Sequence, residues 1–401
     1  MSGPRRPPAA ENTQQGIRRR NLSLVLHTVA DHGPLSRAAV AGRIGLTRAA
    51  VSSLVDELIR TGLLTDLGLE QSGTVGRPGS ALSLSDRGPC GIGAEVGVDH
   101  LAAVAVDLRG RVRARATAEV DNRGRPAGTV LAELAALIDR VGGTARAEGL
   151  RPAGVAVAVP GLVARDTHTV VRAPNLGWRE VDLGAHLPYG PALTVDNEAN
   201  LGALAELWLE GVPGDFVHVS AEIGIGAAVV VEGRLLRGTH GFAGELGHVP
   251  VRPEGPRCPC GGRGCLEQYA GEEALLRAAG LTAKGRPEGL LRARADEGDP
   301  AARRALRAAG TALGIALAGT VNLLDPRAIV LGGSLARLAP WLLPSLEREL
   351  TRRTPQDGTP ALTVSRLGTE GPLLGAAHSV IRTVLDDPTG HRGGASTRYS
   401  S

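Results

Sequence analysis

Residues 258–265 read Cys258-Pro259-Cys260-Gly261-Gly262-Arg263-Gly264-Cys265. Three thiols within eight residues make no disulfide framework for a long chain in a reducing compartment. A Cys-x-Cys pair is too short for an unstrained bridge. With a third thiolate it can chelate one ion, and the glycines let the backbone fold tightly around it. A tetrahedral zinc takes a fourth ligand, and His248 stands ten residues before Cys258. The expected centre is one structural Zn2+ per chain, held by His248, Cys258, Cys260 and Cys265; the alternative is a set of buried or reactive thiols. Four protein ligands leave no open position for an activated water, so a zinc hydrolase is excluded. The fourth cysteine, Cys90, stands apart.

Composition bounds the setting. The chain has 401 residues, 42% hydrophobic and 21% charged, which fits two or three ordinary globular domains rather than a disordered chain. Three Trp, three Tyr and two Phe are too few for platforms that stack single-stranded bases. No run of about 18 uninterrupted apolar residues is present, and the first residues carry Arg and Pro without an apolar run behind them, so neither a membrane span nor a secretory signal is expected. The expected location is the cytoplasm. Charge is uneven: residues 1–88 hold eleven Arg against seven acidic residues, whereas the remaining 313 hold 34 basic and 34 acidic residues. The whole surplus of +4 sits in the first fifth of the chain. That asymmetry points to an N-terminal module that meets a polyanion, although a small surplus can also be a solvated face.

The N-terminal pattern supports the polyanion. Residues 1–15 and 387–401 are polar and rich in Pro, Gly or Ser, and are expected as disordered tails. Between them, Leu22, Val25, Leu26 and Val29 form one helical stripe that Gly33-Pro34 ends. Ser36 can cap a short helix through Ala41, Gly45 permits a tight turn, and Thr47 caps a third helix. The buried face of that helix is Val51, Leu54, Val55 and Leu58, and Gly62 stops it. This is a helix-turn-helix, with Arg48, Ala49, Ser52 and Ser53 on the outward face near the start of the third helix. Leu63–Leu69 and Ala81–Leu84 read as strands around a Gly-rich loop that carries Arg77, which makes a winged form. Arg48, Ser52, Ser53 and Arg77 are the expected DNA contacts, and the expected winged domain spans 16–88.

From 89 the pattern alternates. Ile92–Val98, Leu101–Leu108 and Val112–Val120 read as consecutive strands, followed by a helix over Thr129–Glu148 and a buried strand at Val155–Val159. The same strand-rich start recurs from Phe216, so 89–386 is read as two related α/β lobes with a cleft between them, near 196–267.

These features together resemble the ROK family, named for repressors, open reading frames and sugar kinases. The resemblance rests on Glu245-Leu-Gly-His248, the cysteine cluster, Glu267, Val195-Asp-Asn197-Glu-Ala-Asn200, Ala173-Pro-Asn175-Leu-Gly-Trp178 and Val330-Leu-Gly332-Gly333-Ser334. It covers Arg18 to Val384, and the winged domain matches the repressor branch. The resemblance implies a winged helix-turn-helix, mainly α, followed by a two-lobed α/β actin-like or hexokinase-like (ribonuclease H-like) module that binds a sugar between its lobes. By motif position Gly161, Asn175, Asn197, Glu198, Glu245, His248 and Glu267 would line that sugar site. Carboxylates and amides can accept from and donate to adjacent sugar hydroxyls.

Phosphoryl transfer is the open question. Kinases of the family carry Asp as general base where this chain has Glu198, which is one methylene longer. Their first phosphate loop runs Asp, any residue, Gly, Gly, Thr; here it reads Glu95-Val96-Gly97-Val98-Asp99. Their second, Gly-Thr-Gly, reads Glu222-Ile223-Gly224. Apolar and acidic side chains stand where a phosphate needs donors, so ATP is expected to bind poorly and no catalytic residue is assigned. The expected function is a sugar-responsive transcriptional regulator, a repressor, without enzyme activity. Its partners would be double-stranded operator DNA, a sugar or sugar-phosphate effector, and a second copy in a homodimer or dimer of dimers, with no membrane. The alternative is an ATP-dependent, glucokinase-like sugar kinase with an appended DNA-binding domain.

Overall fold

Thr13 opens the first element of the computed structural model, which describes residues 13–69, 80–221, 223–282, 287–355 and 359–390. The Thr13 hydroxyl accepts from Gly16 N, and helix α1 runs Gln14–His32. Residues 13–15 are therefore structured rather than part of a tail, because Thr is a good N-cap. Helix α2 (Arg37–Ile44) is capped by Ser36 and extends past Ala41 to Gly45, whose left-handed backbone returns its N–H to the Ala41 carbonyl. Helix α3 (Arg48–Arg60) is capped by Thr47. The two helices meet at a bend of 116°, in the range of a helix-turn-helix, and Arg37 pairs with Asp56 across it at 2.6 Å. Strands β1 (Leu35–Ser36), β2 (Leu64–Leu69) and β3 (Ser80–Leu84) form a sheet in the order β1-β3-β2. The tip of the β2–β3 wing, with Arg77, lies outside the described residues. Leu22, Val25, Leu26 and Val29 of α1 close on Val51, Leu54, Val55 and Leu58 of α3, as the periodicity requires.

Each of the following two lobes is built on the same five-stranded plan. Lobe 1 uses β4 (Pro89–Val96), β5 (His100–Asp107), β6 (Val112–Glu119), β7 (Arg151–Val159) and β11 (Leu193–Asn197), in the order β11-β7-β4-β5-β6. Helix α4 (Ala127–Ala147) covers one face. Between β7 and β11 runs an antiparallel meander of β8 (Leu162–Val163), β9 (Thr169–Ala173) and β10 (Trp178–Asp182). Lobe 2 follows α5 (Glu198–Leu209). It uses β12 (Phe216–Ala221), β13 (Ile225–Val231), β14 (Arg234–Leu235), β15 (Ala328–Gly332) and β16 (Ala361–Val364), in the order β14-β13-β12-β15-β16. In both lobes three antiparallel neighbours are extended by two parallel strands, so the repeat expected from the sequence is a duplicated topology.

Short helices α6 (Glu267–Ala270), α7 (Glu272–Ala279) and α8 (Pro287–Asp296) lead into the long pair α9 (Pro300–Leu324) and α10 (Gly333–Arg353). Among the described residues α9 is the one unbroken helix long and apolar enough to cross a membrane, but 56% of its most apolar stretch is buried in the lobe 2 core. Helix α11 (Gly371–Asp386) returns the chain to lobe 1, packing on β4 and β7, on α5 and on α1. The turn after it is also structured: Thr389 donates to Asp387, and Arg19 of α1 lies 3.8 Å from that carboxylate. The C-terminal tail accordingly does not begin at 387.

Candidate sugar pocket and metal centre

The four thiol and imidazole ligands expected from the sequence converge. One ligand atom from each of His248, Cys258, Cys260 and Cys265 lies within 4.8 Å of the others. The Cys260 and Cys265 sulfurs are 3.7 Å apart, too far for a disulfide and close to the ~3.8 Å edge of a tetrahedron with 2.3 Å Zn–S bonds. His248 Nδ1 lies 3.9 Å from the Cys258 sulfur. The donor set and its geometry fit a structural Zn2+. Cys90 sits elsewhere, in the lobe 1 core, where burial pushes its thiol up to about 12. It is a packing residue.

The other nitrogen of His248 faces away from the thiols, 3.7 Å from a Glu245 carboxylate oxygen. Both line a cavity of about 240 Å³, a volume suited to a monosaccharide, together with Gly161, Asn175, Asn197, Glu198 and Glu267. All seven residues assigned to the sugar site thus border one space. Lobe 1 supplies Gly161 after β7 and Asn175 after β9, and the β11–α5 junction supplies Asn197 and Glu198. Lobe 2 supplies the rest.

Local structure explains how these groups are held. The Asn197 side-chain Oδ1 caps α5 by accepting from Ala199 N and Asn200 N, and its Nδ2 donates to the Gly161 backbone carbonyl at 2.8 Å. One amide hydrogen remains for a ligand. Glu198, the first residue of α5, has its carboxyl pushed up to about 7, by burial first and by the charge of Glu95 second, with His100 opposing. Glu245 is also raised, by its packing and by Glu267. Glu267 opens α6, and its carboxylate lies against Gly224, where a Cβ would come within 2.4 Å of an oxygen. Only glycine at 224 leaves that carboxylate its place.

Among the further residues that line the cavity, Arg172 and Phe242 escaped the sequence reading. Arg172 of β9 donates to the Pro259 carbonyl at 3.2 Å, joining the meander of lobe 1 to the cysteine loop of lobe 2 across the cavity. Phe242, one of two Phe in the chain, sits in a Gly-rich segment just before Glu245, and its rarity is the signal that could have marked it.

The β4–β5 turn adds an observation on the first phosphate loop. The His100 imidazole lies on Gly97, where a Cβ would meet the ring at 2.2 Å, and it bonds Asp99 at 2.8 Å. Its other nitrogen is 3.7 Å from Glu95, a buried carboxylate. Val98 is buried in the lobe 1 core. The glycine surface that a phosphate would approach is covered by a side chain, and Glu222 of the second loop lies outside the described residues.

On the DNA side, Arg48 and Ser53 are exposed at the start of α3, and Ser52 is half-buried with its carbonyl accepting from Arg37.

Comparison with known proteins agrees with this architecture. Residues 91–383 match the ROK family. The chain is 31% identical over 382 residues to the xylose repressor of Bacillus spizizenii, covering 93% of this chain and 98% of that protein. The crystal structure of a ROK family transcriptional regulator, a homolog of the Escherichia coli MLC protein, superposes with a TM-score of 0.78 at 28% identity, over 92% of this chain and 97% of the other. A ROK family glucokinase from Streptomyces griseus, solved with glucose and AMPPNP, gives a TM-score of 0.63 at 28% identity, over 72% and 98%.

Proposed function

The chain belongs to the ROK family, and from that premise we propose that it is a sugar-responsive, DNA-binding transcriptional repressor. The observation that carries the reading is the joining, in one chain, of a winged helix-turn-helix to a cavity of monosaccharide size lined by all seven assigned sugar residues. Arg48, Ser52 and Ser53 enter the major groove of operator DNA, and Arg77 reaches the backbone or minor groove from the wing. Two copies are needed because one short recognition helix covers one half-site, so the working form is a homodimer or a dimer of dimers. Such a protein works in the cytoplasm, where the DNA is.

The sugar is held by carboxylates and amides from both lobes. Glu245 and Glu267 accept hydrogen bonds from sugar hydroxyls, Asn197 donates its remaining amide hydrogen, and His248 donates from Nε2 while Nδ1 serves the metal. A zinc held by His248, Cys258, Cys260 and Cys265 would supply a structural cross-link, fixing the imidazole and the loop that borders Glu267. Xylose, the sugar in the name of the relatives, is the first ligand to test.

The module has lost phosphoryl transfer in this reading. His100 covers Gly97, buried Val98 and acidic Asp99 stand where the family's first phosphate loop has glycine and a hydroxyl donor, and Glu95 adds a second carboxylate, which argues against a phosphate at that loop. The kinase alternative draws support from Glu198, a carboxyl near 7 at the position of the family's general base. A coupled assay separates the two. ADP release with D-xylose or D-glucose at kinase rates of ~1–100 per second would sustain the kinase; selective enrichment of a palindromic duplex, with no ADP, sustains the repressor.

A further inference from the structure

Sugar binding must reach α3 by some physical route, and the packing of three helices supplies one. Helix α5 starts at the sugar pocket, directly after β11 of lobe 1, and touches β7 there, but more of its sheet contact is with β12 and β13 of lobe 2, whereas α11 lies on β4, β5 and β7 of lobe 1. The two helices pack against each other, so α5–α11 is the contact across which the lobes move. Their approach is backbone to backbone: a Cβ on Gly375 would come within 1.9 Å of the Leu201 carbonyl oxygen. A contact with no side chain to absorb displacement acts as a pivot.

Beyond that pivot stands Trp208, ten residues and ~15 Å along α5 from Glu198. Its ring carries the Arg382 guanidinium of α11 at 5.5 Å. The same guanidinium reaches the DNA-binding domain. Arg382 Nη1 donates to His27 Nδ1 of α1 at 3.2 Å and lies 3.9 Å from Asp31. With Nδ1 accepting, the His27 proton sits on Nε2, which donates to Asp386 at 2.7 Å. Arg382 therefore touches α5, which bridges the two lobes, sits on a helix packed against lobe 1, and holds α1. Its side chain is 26% exposed and that of His27 25%, whereas those of Asp31 and Asp386 are 52% and 69% exposed, so the shielded part of the cluster is the guanidinium between the Trp208 ring and the imidazole.

We propose that Arg382 is the positioning residue through which closure of the sugar cleft is read by the DNA-binding domain. The proposal rests on the sugar-responsive reading above. Closure carries α5 with lobe 2 and turns it against α11 about Leu201 and Gly375, shifting Trp208 under the guanidinium. Arg382 then trades its hold on Trp208 against its hold on His27 and Asp31. α1 answers, and with it α3, which shares the α1 core. The two arrangements differ in contacts, which is what a ligand needs in order to bias them.

The test uses the full-length protein, D-xylose and D-glucose as probes, and a duplex enriched by the wild type from a random pool. Wild type is expected to change its duplex Kd by ~5–150-fold at saturating sugar. In Arg382→Ala sugar affinity is expected to stay near wild type while the sugar-induced change in duplex Kd shrinks to under about twofold. Arg382→Lys, which keeps the charge over the ring, restores part of it. An Arg382→Ala protein that keeps the wild-type ratio overturns the relay alone. A wild type that binds sugar with no change in duplex affinity overturns the regulator reading and the relay with it. Should Arg382→Ala fail to fold, Trp208→Leu cuts the same contact from α5 and must show the same loss.

Discussion

His248 Nε2 stands 3.7 Å from a carboxylate oxygen of Glu245, while Nδ1 of the same ring faces the Cys258 sulfur at 3.9 Å. One imidazole thus belongs at once to a cysteine cluster and to the cavity proposed to hold the sugar. What happens to the cluster must be felt in the pocket.

Cys260→Ser tests that link. Removing one of four ligands is expected to abolish stoichiometric zinc and, with it, the sugar response, because the loop holding His248 and bordering Glu267 loses its cross-link. Operator binding should survive, since the core of α1 and α3 lies apart from the cysteine loop. Metal analysis and sugar titration of the variant decide it; a metal-free protein with wild-type sugar affinity refutes the link.

Glu198 predicts a pH dependence. Its carboxyl rises from 4.5 to about 7 on folding, so the folded state holds a proton that the unfolded state has released. The stability this contributes is full below about 4.5 and is lost as pH rises through about 7. Glu198→Gln has no proton to lose. Its Tm should match wild type near pH 4 and exceed it at pH 8; a difference that does not vary with pH contradicts the assignment.

Arg48→Ala should weaken operator binding by ~1–3 kcal/mol if the guanidinium reads a base, with relaxed specificity at one position of each half-site. Arg48 is exposed at the first residue of α3, so its removal disturbs no packing. Anisotropy titrations against the operator and single-base variants measure both effects. Unchanged affinity removes Arg48 from the interface.

Much of this was legible in the sequence because the signals were local. Ser36 and Thr47 are caps whose side chains bond the helix start whatever the rest of the chain does. The cysteines carry their metal chemistry within eight residues. The meander was not legible: β8 has two residues, and β10, Trp178–Asp182, leaves both charged Arg179 and Glu180 exposed, without a core-facing alternation to read. Arg172 enters the pocket only because that meander folds over it. His100 looks like a turn residue until the β4–β5 hairpin lays its ring on Gly97. The apolar spacing of α11 marks a helix, but no periodicity says that it returns to lobe 1 and meets α1. Contacts between residues more than 300 positions apart, such as His27 with Asp386, are decided by topology.

A sugar-responsive repressor must change its operator affinity when sugar binds, at fixed salt. Titrating a selected palindromic duplex in the presence of saturating D-xylose or D-glucose, with ATP added and ADP followed in parallel, reads both halves of the claim together. The account predicts a sugar-dependent change of ~5–150-fold in Kd and no ADP. Sugar-dependent ADP formation with an operator affinity that does not move would contradict it.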